Sequence, residues 1–227
     1  MTVGTVLITG GSSGLGAATA EAVANAGGRP VILDRVAPSA DYEHEEVDLA
    51  DRRGAEDAIR SISQRVDGID GVVACAGIDA CGRLEDVDPD EWDRVVLVNL
   101  LGTAAVVRAA LPDLIARQGR VVTVASTLGL RALSDATAYC ASKFGVVGFT
   151  RALSAETAGR IGVTLLVPGG MHTPFFDGRT EQYKPPPDAK LNQPHDVAQA
   201  ILFALSQPWG CEVRELLIAP SMEGSWP

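Results

Sequence analysis

Apolar and polar positions along the chain form blocks that predict strands and helices in alternation. Continuous apolar, β-branched runs of strand length occupy residues 3–9, 31–34, 71–76, 120–126 and 163–167, with shorter candidates at 45–47 and 215–219. Helical spacing covers residues 13–26, 51–66, 89–117 and 137–159, and Pro194 opens a further helix. Strands that are apolar at every position are buried on both faces, which predicts an α/β fold with a mostly parallel sheet.

The pattern predicts one domain over residues 1–227, without repeats or linkers. Residues 175–193 are the exception, since they show no clear period and include Pro185-Pro186-Pro187. A connection of this length is unusual inside a compact domain, so we interpret it either as a lid over a site or as a disordered segment.

Composition narrows the functional class. The chain has 46% hydrophobic residues and a formal net charge of −10, which favours a sizeable core and disfavours nucleic acids and anionic membranes as partners. No apolar run reaches the roughly 18 residues of a membrane span, and the N-terminus lacks the basic region of a signal peptide. The four cysteines show neither metal-ligand nor disulfide spacing. We expect a cytoplasmic protein that acts on a small molecule, without a metal.

A glycine-rich turn, Thr9-Gly10-Gly11-Ser12-Ser13-Gly14-Leu15-Gly16, follows the first strand and opens the first helix. Glycines at this spacing let the backbone approach a pyrophosphate, and the helix N-terminus offers it unpaired N–H groups. The alternative is a plain strand–helix turn, but the position between the first strand and the first helix favours a dinucleotide site.

Asp34, at the end of the second strand, predicts which dinucleotide binds. A carboxylate there can accept hydrogen bonds from the adenosine ribose hydroxyls and repels a 2′-phosphate, which favours NAD over NADP. Arg35 is the only nearby cation that the sequence suggests, and regular strand alternation points it away. A solvated turn acid is the alternative interpretation of Asp34.

Tyr139 and Lys143 lie four residues apart, on one face of a predicted helix. A tyrosine titrates near pH ~10, and a neighbouring ammonium can lower its pKa by about 1–3 units, which makes it a usable general acid or base. Ser126 ends the fifth predicted strand, at the edge where ligands bind in open α/β sheets, and its hydroxyl could hold a substrate oxygen. The Tyr–Lys spacing alone is also common on ordinary helix surfaces.

These motifs, together with Asp48, Cys75-Ala76-Gly77, Asn99 and Pro168-Gly169 followed by Thr173, resemble the compact, classical short-chain dehydrogenases/reductases over nearly the whole chain. The resemblance implies a doubly wound, seven-stranded Rossmann sheet with helices on both faces. It also implies that a hydride moves between NAD and a secondary alcohol or ketone.

The resemblance assigns four catalytic residues. Tyr139 would exchange the proton, and Lys143 would lower the pKa of Tyr139 and bind the nicotinamide ribose. Ser126 would orient the carbonyl, while Asn99 would kink its helix and hold a water of a proton relay. The implied cofactor-binding residues are Gly10, Ser12, Ser13, Gly14, Leu15, Gly16, Asp34, Asp48, Leu49, Ala76, Gly77, Tyr139, Lys143, Pro168, Gly169 and Thr173.

The chain departs from the family pattern in three places. Cys75 stands where an asparagine is most common, and the interval from Asp34 to Asp48 leaves too few residues for a crossover helix. The C-terminus lacks the Asp-Gly-Gly common in tetrameric members, which puts a tetramer in doubt. A homodimer or homotetramer is expected, with dimer contacts through the helices at 89–117 and 137–159. Small residues that would allow close packing there are Ala104, Ala105, Ala109 and Ala141.

Two other functions compete with this one. A cofactor-sensing regulatory protein could keep the fold, but such relatives typically lose the tyrosine or lysine. An extended-type epimerase or dehydratase needs a substrate domain, for which the chain has no room. The substrate itself is open, although a hydrophobic or acyl-linked 3-hydroxy or 3-oxo compound is compatible with the predicted wall residues. These are Leu128, Leu130, Met171, Phe175 and Phe176, with Arg131 and His172 as nearby polar candidates.

Overall fold

Seven parallel strands form a single sheet in the computed structural model, which describes residues 3–223. The strands are β1 (Thr5–Thr9), β2 (Arg29–Asp34), β3 (Glu43–Glu46), β4 (Gly71–Ala74), β5 (Arg120–Val124), β6 (Gly162–Pro168) and β7 (Glu215–Ile218). Their order across the sheet is β3-β2-β1-β4-β5-β6-β7. The strand order reverses between β1 and β4, and ligands of open α/β sheets bind beside such a reversal. The predicted fold class is confirmed.

Helices cover both faces of the sheet. They are α1 (Gly14–Asn25), α2 (Arg52–Val66), α3 (Pro89–Val96), α4 (Thr103–Arg117), α5 (Thr137–Glu156) and α6 (Pro194–Leu205). Alternate strand residues face opposite sides. Leu7, Leu33 and Val72 pack toward α2 and α4, whereas Ile8 and Ile32 pack toward α1 and α6. This alternation explains why the central strands β1 and β4 are almost entirely apolar, whereas the edge strand β3 consists of Glu and His.

Several boundaries differ from the sequence prediction. β1 begins at Thr5 because Gly4 has a positive φ of 69°. β4 and β5 each end two residues early, since the chain turns out of the sheet at its carboxyl edge. Ser126 therefore lies beyond β5, at the start of a short 3-10 turn.

The helix predicted over residues 89–117 is interrupted by a π-helical turn at Leu97–Gly102. The whole stretch is long and apolar enough to cross a membrane by length and composition alone, but half of its most apolar part is buried in the protein. Its α4 portion packs on α2 and its α3 portion on α5. Such burial is typical of a core helix.

The connection from β2 to β3 contains no helix, as the short interval predicts. Residues 35–42 carry the chain directly to β3, which forms one edge of the sheet. Arg65 of α2 holds this edge through ion pairs to Glu43 at 3.0 Å and Glu45 at 3.1 Å.

Residues 172–191, here termed the lid segment, form a loop whose two ends meet. The amide of His172 donates to the carbonyl of Asn192, and the amide of Asn192 donates to the carbonyl of Gly170, both at 2.9 Å. Two 3-10 turns, Pro174–Phe176 and Glu181–Tyr183, shape the segment between these ends. The segment lies over the carboxyl edge of the sheet, since its residues Phe175, Phe176 and Arg179 line the cavity described next.

Candidate active site

A cavity of about 490 Å³ opens at the carboxyl edge of the sheet and extends from the glycine-rich turn to the lid segment. This volume lies within the usual range of ligand sites. Most of the predicted site residues line it: Gly10, Ser13, Gly14, Leu15, Gly16, Asp34, Asp48, Leu49, Ala76, Gly77, Ser126, Tyr139, Lys143, Pro168, Gly169 and Thr173. Ser12 and Asn99 are not part of the lining.

The glycine-rich turn has a backbone that requires glycine. Gly10 and Gly14 have positive φ angles of 67° and 51°, and a Cβ atom on Gly16 would lie 2.1 Å from the carbonyl oxygen of Gly10. The N-cap residue of α1, Ser13, makes no side-chain capping bond, and the first turn of α1 carries no acidic residue. The N-terminus of α1 therefore has no acidic side chain in its first turn to compete with an anion, which fits a bound pyrophosphate.

Asp34 and Ser12 tie the turn to the end of β2. The amide of Ser12 donates to Asp34 Oδ2 at 3.0 Å, and the Ser12 hydroxyl donates to the carbonyl of Val36 at 2.6 Å. Ser12 thus supports the turn through both its amide and its hydroxyl, and its role in cofactor binding stays a prediction. Asp34 remains at the cavity wall, with its carboxylate held in place.

Two cations, Arg35 and Arg94, line the cavity near Asp34. Arg94, from α3, pairs with Asp48 at 2.6 Å. Burial raises the pKa of Asp48, but hydrogen bonds from Arg94 and from the amide of Ala50 outweigh it and hold that pKa below its usual value. The prediction that Arg35 is the only nearby cation and points away is wrong. Arg35 lies just past the end of β2, where the alternation of side chains no longer applies. Arg94 was missed because it is distant from Asp34 in sequence.

Tyr139 and Lys143 share the buried side of α5, as their spacing predicts, and are 9% and 3% exposed. The Lys143 Nζ lies 5.6 Å from the centroid of the Tyr139 ring and donates to the carbonyl of Val124 at 2.9 Å. The carboxyl end of β5 thereby fixes the ammonium beside the tyrosine, and both side chains reach the cavity.

Burial is the largest influence on the pKa values of Tyr139 and Lys143. It lowers the pKa of Lys143 to about 8 and raises the pKa of Tyr139, the rise being partly opposed by a hydrogen bond with Ser126. The expected lowering of the Tyr139 pKa by Lys143 is not what the structure shows, because both groups are desolvated and the ammonium is directed to Val124. The Tyr139 phenol is consequently protonated at neutral pH and can donate a proton.

Asn99 sits in the π-helical turn and is 1% exposed. Its Oδ1 accepts from the amide of Ile78 at 2.8 Å, and its Nδ2 donates to the Ile78 carbonyl at 2.9 Å and to Ser142 Oγ at 3.0 Å. The side chain therefore joins the interrupted helix to α5 and to the loop after β4. The implied distortion of this helix is present, although Asn99 is covered by its neighbours.

Cys75, which replaces the more common asparagine, is half-buried at the cavity wall. Burial raises the pKa of its thiol to about 12, so the thiol is neutral and unreactive at physiological pH. The loop it belongs to is tied to β1 by the amide of Ala76, which donates to Thr9 Oγ1 at 3.1 Å. All four cysteines are free.

The end of the cavity next to Tyr139 and the lid segment, here termed the substrate end, is lined mainly by apolar side chains. Of the predicted wall residues, Leu128, Met171, Phe175 and Phe176 line it, whereas Leu130, Arg131 and His172 do not. The Phe175 ring packs against Tyr139, with 5.6 Å between centroids. Sequence reasoning missed further lining residues, namely Ile78, Leu133, Pro174, Arg179 and Glu223. No local pattern marks Arg179 as a site residue, because its ion-pair partner Asp79 lies 100 residues away in sequence.

Comparison with known proteins agrees with this geometry. The family model described as short chain dehydrogenase matches residues 4–184. The chain belongs to the short-chain dehydrogenase family. It is therefore an oxidoreductase of a family that uses a nicotinamide cofactor, NAD or NADP.

Individual relatives extend the likeness over nearly the whole chain. An uncharacterized oxidoreductase of Staphylococcus aureus (strain MW2) is 32% identical, over 94% of this chain and 96% of that protein. A glycine betaine reductase of Emericella nidulans is 32% identical over 96% of this chain, which spans only 19% of that protein's length. The structure of an aldohexose dehydrogenase of Thermoplasma acidophilum superposes with a TM-score of 0.86 at 26% identity, covering 95% of this chain and 92% of that one.

Proposed function

We propose that the protein is an NAD-dependent oxidoreductase that transfers a hydride between the nicotinamide ring and a secondary alcohol or ketone. The observation that carries this proposal is the placement of Ser126, Tyr139 and Lys143 at the cavity wall, beside the glycine-rich turn. A cofactor-sensing protein does not need a tyrosine buried next to a lysine. The presence of Ser126, Tyr139 and Lys143 together therefore favours a catalytic function over cofactor sensing.

Each residue has a separate task in the reduction direction. The bound nicotinamide supplies the hydride. Tyr139 donates its phenolic proton to the substrate oxygen, and Ser126 holds that oxygen by a hydrogen bond. Lys143 stabilises the phenolate left behind, because a positive charge near a phenolate favours its charged form. The apolar wall at Phe175 excludes water from the reacting atoms and accommodates a hydrophobic or acyl-linked 3-hydroxy or 3-oxo substrate.

The preference for NAD rests on Asp34. Its carboxylate can accept hydrogen bonds from both adenosine ribose hydroxyls, and it would repel a 2′-phosphate at the same place. Arg94 is already paired with Asp48 at 2.6 Å, so its charge is largely compensated. Arg35 is the cation that opposes the preference, and we expect the fixed carboxylate of Asp34 to outweigh it.

The test is turnover with NAD and NADP on a panel of secondary alcohols and ketones, with Tyr139→Phe as the diagnostic variant. The panel includes an aldohexose, because a structural relative is named for that substrate. We expect Tyr139→Phe to lose nearly all turnover while its affinity for the cofactor stays close to that of the parent, because the phenol alone transfers the proton. Activity within a few-fold of the parent would remove Tyr139 from the mechanism.

We also propose a homodimer, or a homotetramer built from such dimers, in the cytoplasm. The support is an exposed stripe on α5 made of Ala141, Phe144 and Gly148, in which Phe144 is 45% exposed. Side chains three and four residues apart on a helix form one face, and this face would pack against its copy. Of the alanines predicted to help on α4, Ala105 is 1% exposed inside the protein and is not available.

A further inference from the structure

Arg179 carries a positive charge from the lid segment into the substrate end of the cavity. Its Nη2 pairs with Asp79 Oδ2 at 2.6 Å, and its Nη1 donates to the carbonyl of Tyr183 at 3.2 Å. The two charged side chains are only 18% and 7% exposed. The pair is therefore largely removed from water. A charged group in such a position depends most on its partners.

The guanidinium lies against two aromatic rings that are nearly perpendicular to each other. Its central carbon lies 4.9 Å from the ring centroid of Phe175 and 4.7 Å from that of Phe176. Phe175 in turn packs against Tyr139. Two such cation–π contacts restrict where the guanidinium can lie. The Arg179 guanidinium is thus held beside Phe175, whose ring contacts the proton donor Tyr139.

The hydrogen bonds of Arg179 within residues 3–223 leave part of its donor capacity unused. Its Nε is fully buried and has no acceptor among the residues that the structure describes. A guanidinium offers five N–H groups, and buried donors without an acceptor are rare in folded proteins. Arg179 also lines the cavity, so a bound molecule can approach the guanidinium N–H groups that Asp79 and Tyr183 leave unused.

We propose that Arg179 recognises an oxygen atom of the substrate, so that the preferred substrates carry a second, uncharged oxygen function next to the reacting carbonyl. This inference rests on the proposed function. An uncharged acceptor, such as a ketone or hydroxyl oxygen, fits better than a carboxylate because Asp79 already neutralises Arg179. A carboxylate would add an unbalanced negative charge to a desolvated site.

The experiment compares kcat/KM for 2,3-butanedione and 2-butanone, a pair that differs by one oxygen. Diketones react faster without any enzyme, so the informative quantity is the change of this ratio between parent and variants. We expect Arg179→Met to lower the ratio about tenfold or more, chiefly through the KM of the diketone, while 2-butanone changes less than about threefold. Cofactor binding measured on each variant reports that the fold is intact.

Asp79→Asn is the matched control, because it breaks the ion pair but keeps the guanidinium. We expect it to keep the preference for the diketone. Equal losses on both substrates in Arg179→Met and Asp79→Asn would mean that the pair merely holds the lid, which overturns recognition by Arg179. Pyruvate, assayed as a third substrate, tests the charged alternative: if Arg179→Met loses activity on pyruvate alone, the ligand is a carboxylate, which overturns the uncharged acceptor. If the parent binds the cofactor but reduces no carbonyl compound, the proposed function itself is wrong.

Discussion

Replacing Lys143 with methionine should not destabilise the protein at neutral pH, even though it removes a hydrogen bond. The ammonium of Lys143 is 3% exposed, and burial lowers its pKa from 10.5 to about 8. A difference of this size corresponds to about 3 kcal/mol of unfavourable free energy for keeping the group charged in the folded state. The bond to the Val124 carbonyl at 2.9 Å offsets part of that cost, by about 1–3 kcal/mol.

The pH dependence is a sharper measure than the absolute stability. Because the pKa of Lys143 is lower in the folded chain, the unfolded chain binds more protons between about pH 8 and pH 10.5. The stability contributed by this residue therefore rises with pH through that window. Between pH 7 and pH 10 the parent should gain about 2–3 kcal/mol relative to Lys143→Met.

Urea unfolding of both proteins at pH 7, 8, 9 and 10 measures this difference. Lys190→Met serves as the control, since Lys190 is exposed on the lid segment and its loss should leave the pH profile of the parent unchanged. Parallel profiles for the parent and Lys143→Met would refute the reasoning, because they would mean that the ammonium is solvated in the folded protein.

Two further predictions concern the cofactor and the assembly. The parent should prefer NAD over NADP by about tenfold or more in kcat/KM, and Asp34→Ala should reduce this preference, chiefly by raising the KM for NAD. Equal kcat/KM values for both cofactors in the parent would contradict the role of Asp34. Phe144→Glu should convert a dimer into a monomer in light scattering at micromolar concentration, whereas Phe203→Glu, at a phenylalanine that is 55% exposed on α6, should leave the dimer intact. A parent that is monomeric under these conditions would rule out the α5 interface.

Local signals in the sequence predicted the parts of the fold and site that are set by neighbours along the chain. The apolar central strands and the start of α6 at Pro194 follow from short-range rules, and the structure confirms them. The spacing of Tyr139 and Lys143 likewise placed both side chains on one face of α5.

Features that depend on distant residues escaped prediction. Arg94 reaches Asp48 from 46 residues away, and Arg179 reaches Asp79 from 100 residues away. No local pattern marks such pairs. The pKa of Tyr139 was misjudged for a related reason, because the degree of burial is a property of the assembled cavity and not of the helix that carries the residue.

The π-helical turn at Leu97–Gly102 also determines the direction in which the side chains of α4 point. One extra residue in a helical turn rotates the subsequent side chains by about 100° around the axis. The same continuous helix can therefore direct its first part toward α5 and its second part toward α2. Deleting a single residue within the turn would restore regular winding, but it would rotate the inward-facing residues of α4, such as Val107 and Leu114, away from the sheet. The geometry of the catalytic cleft and the packing of α4, a helix about 20 Å long, thus both depend on this one π-helical turn.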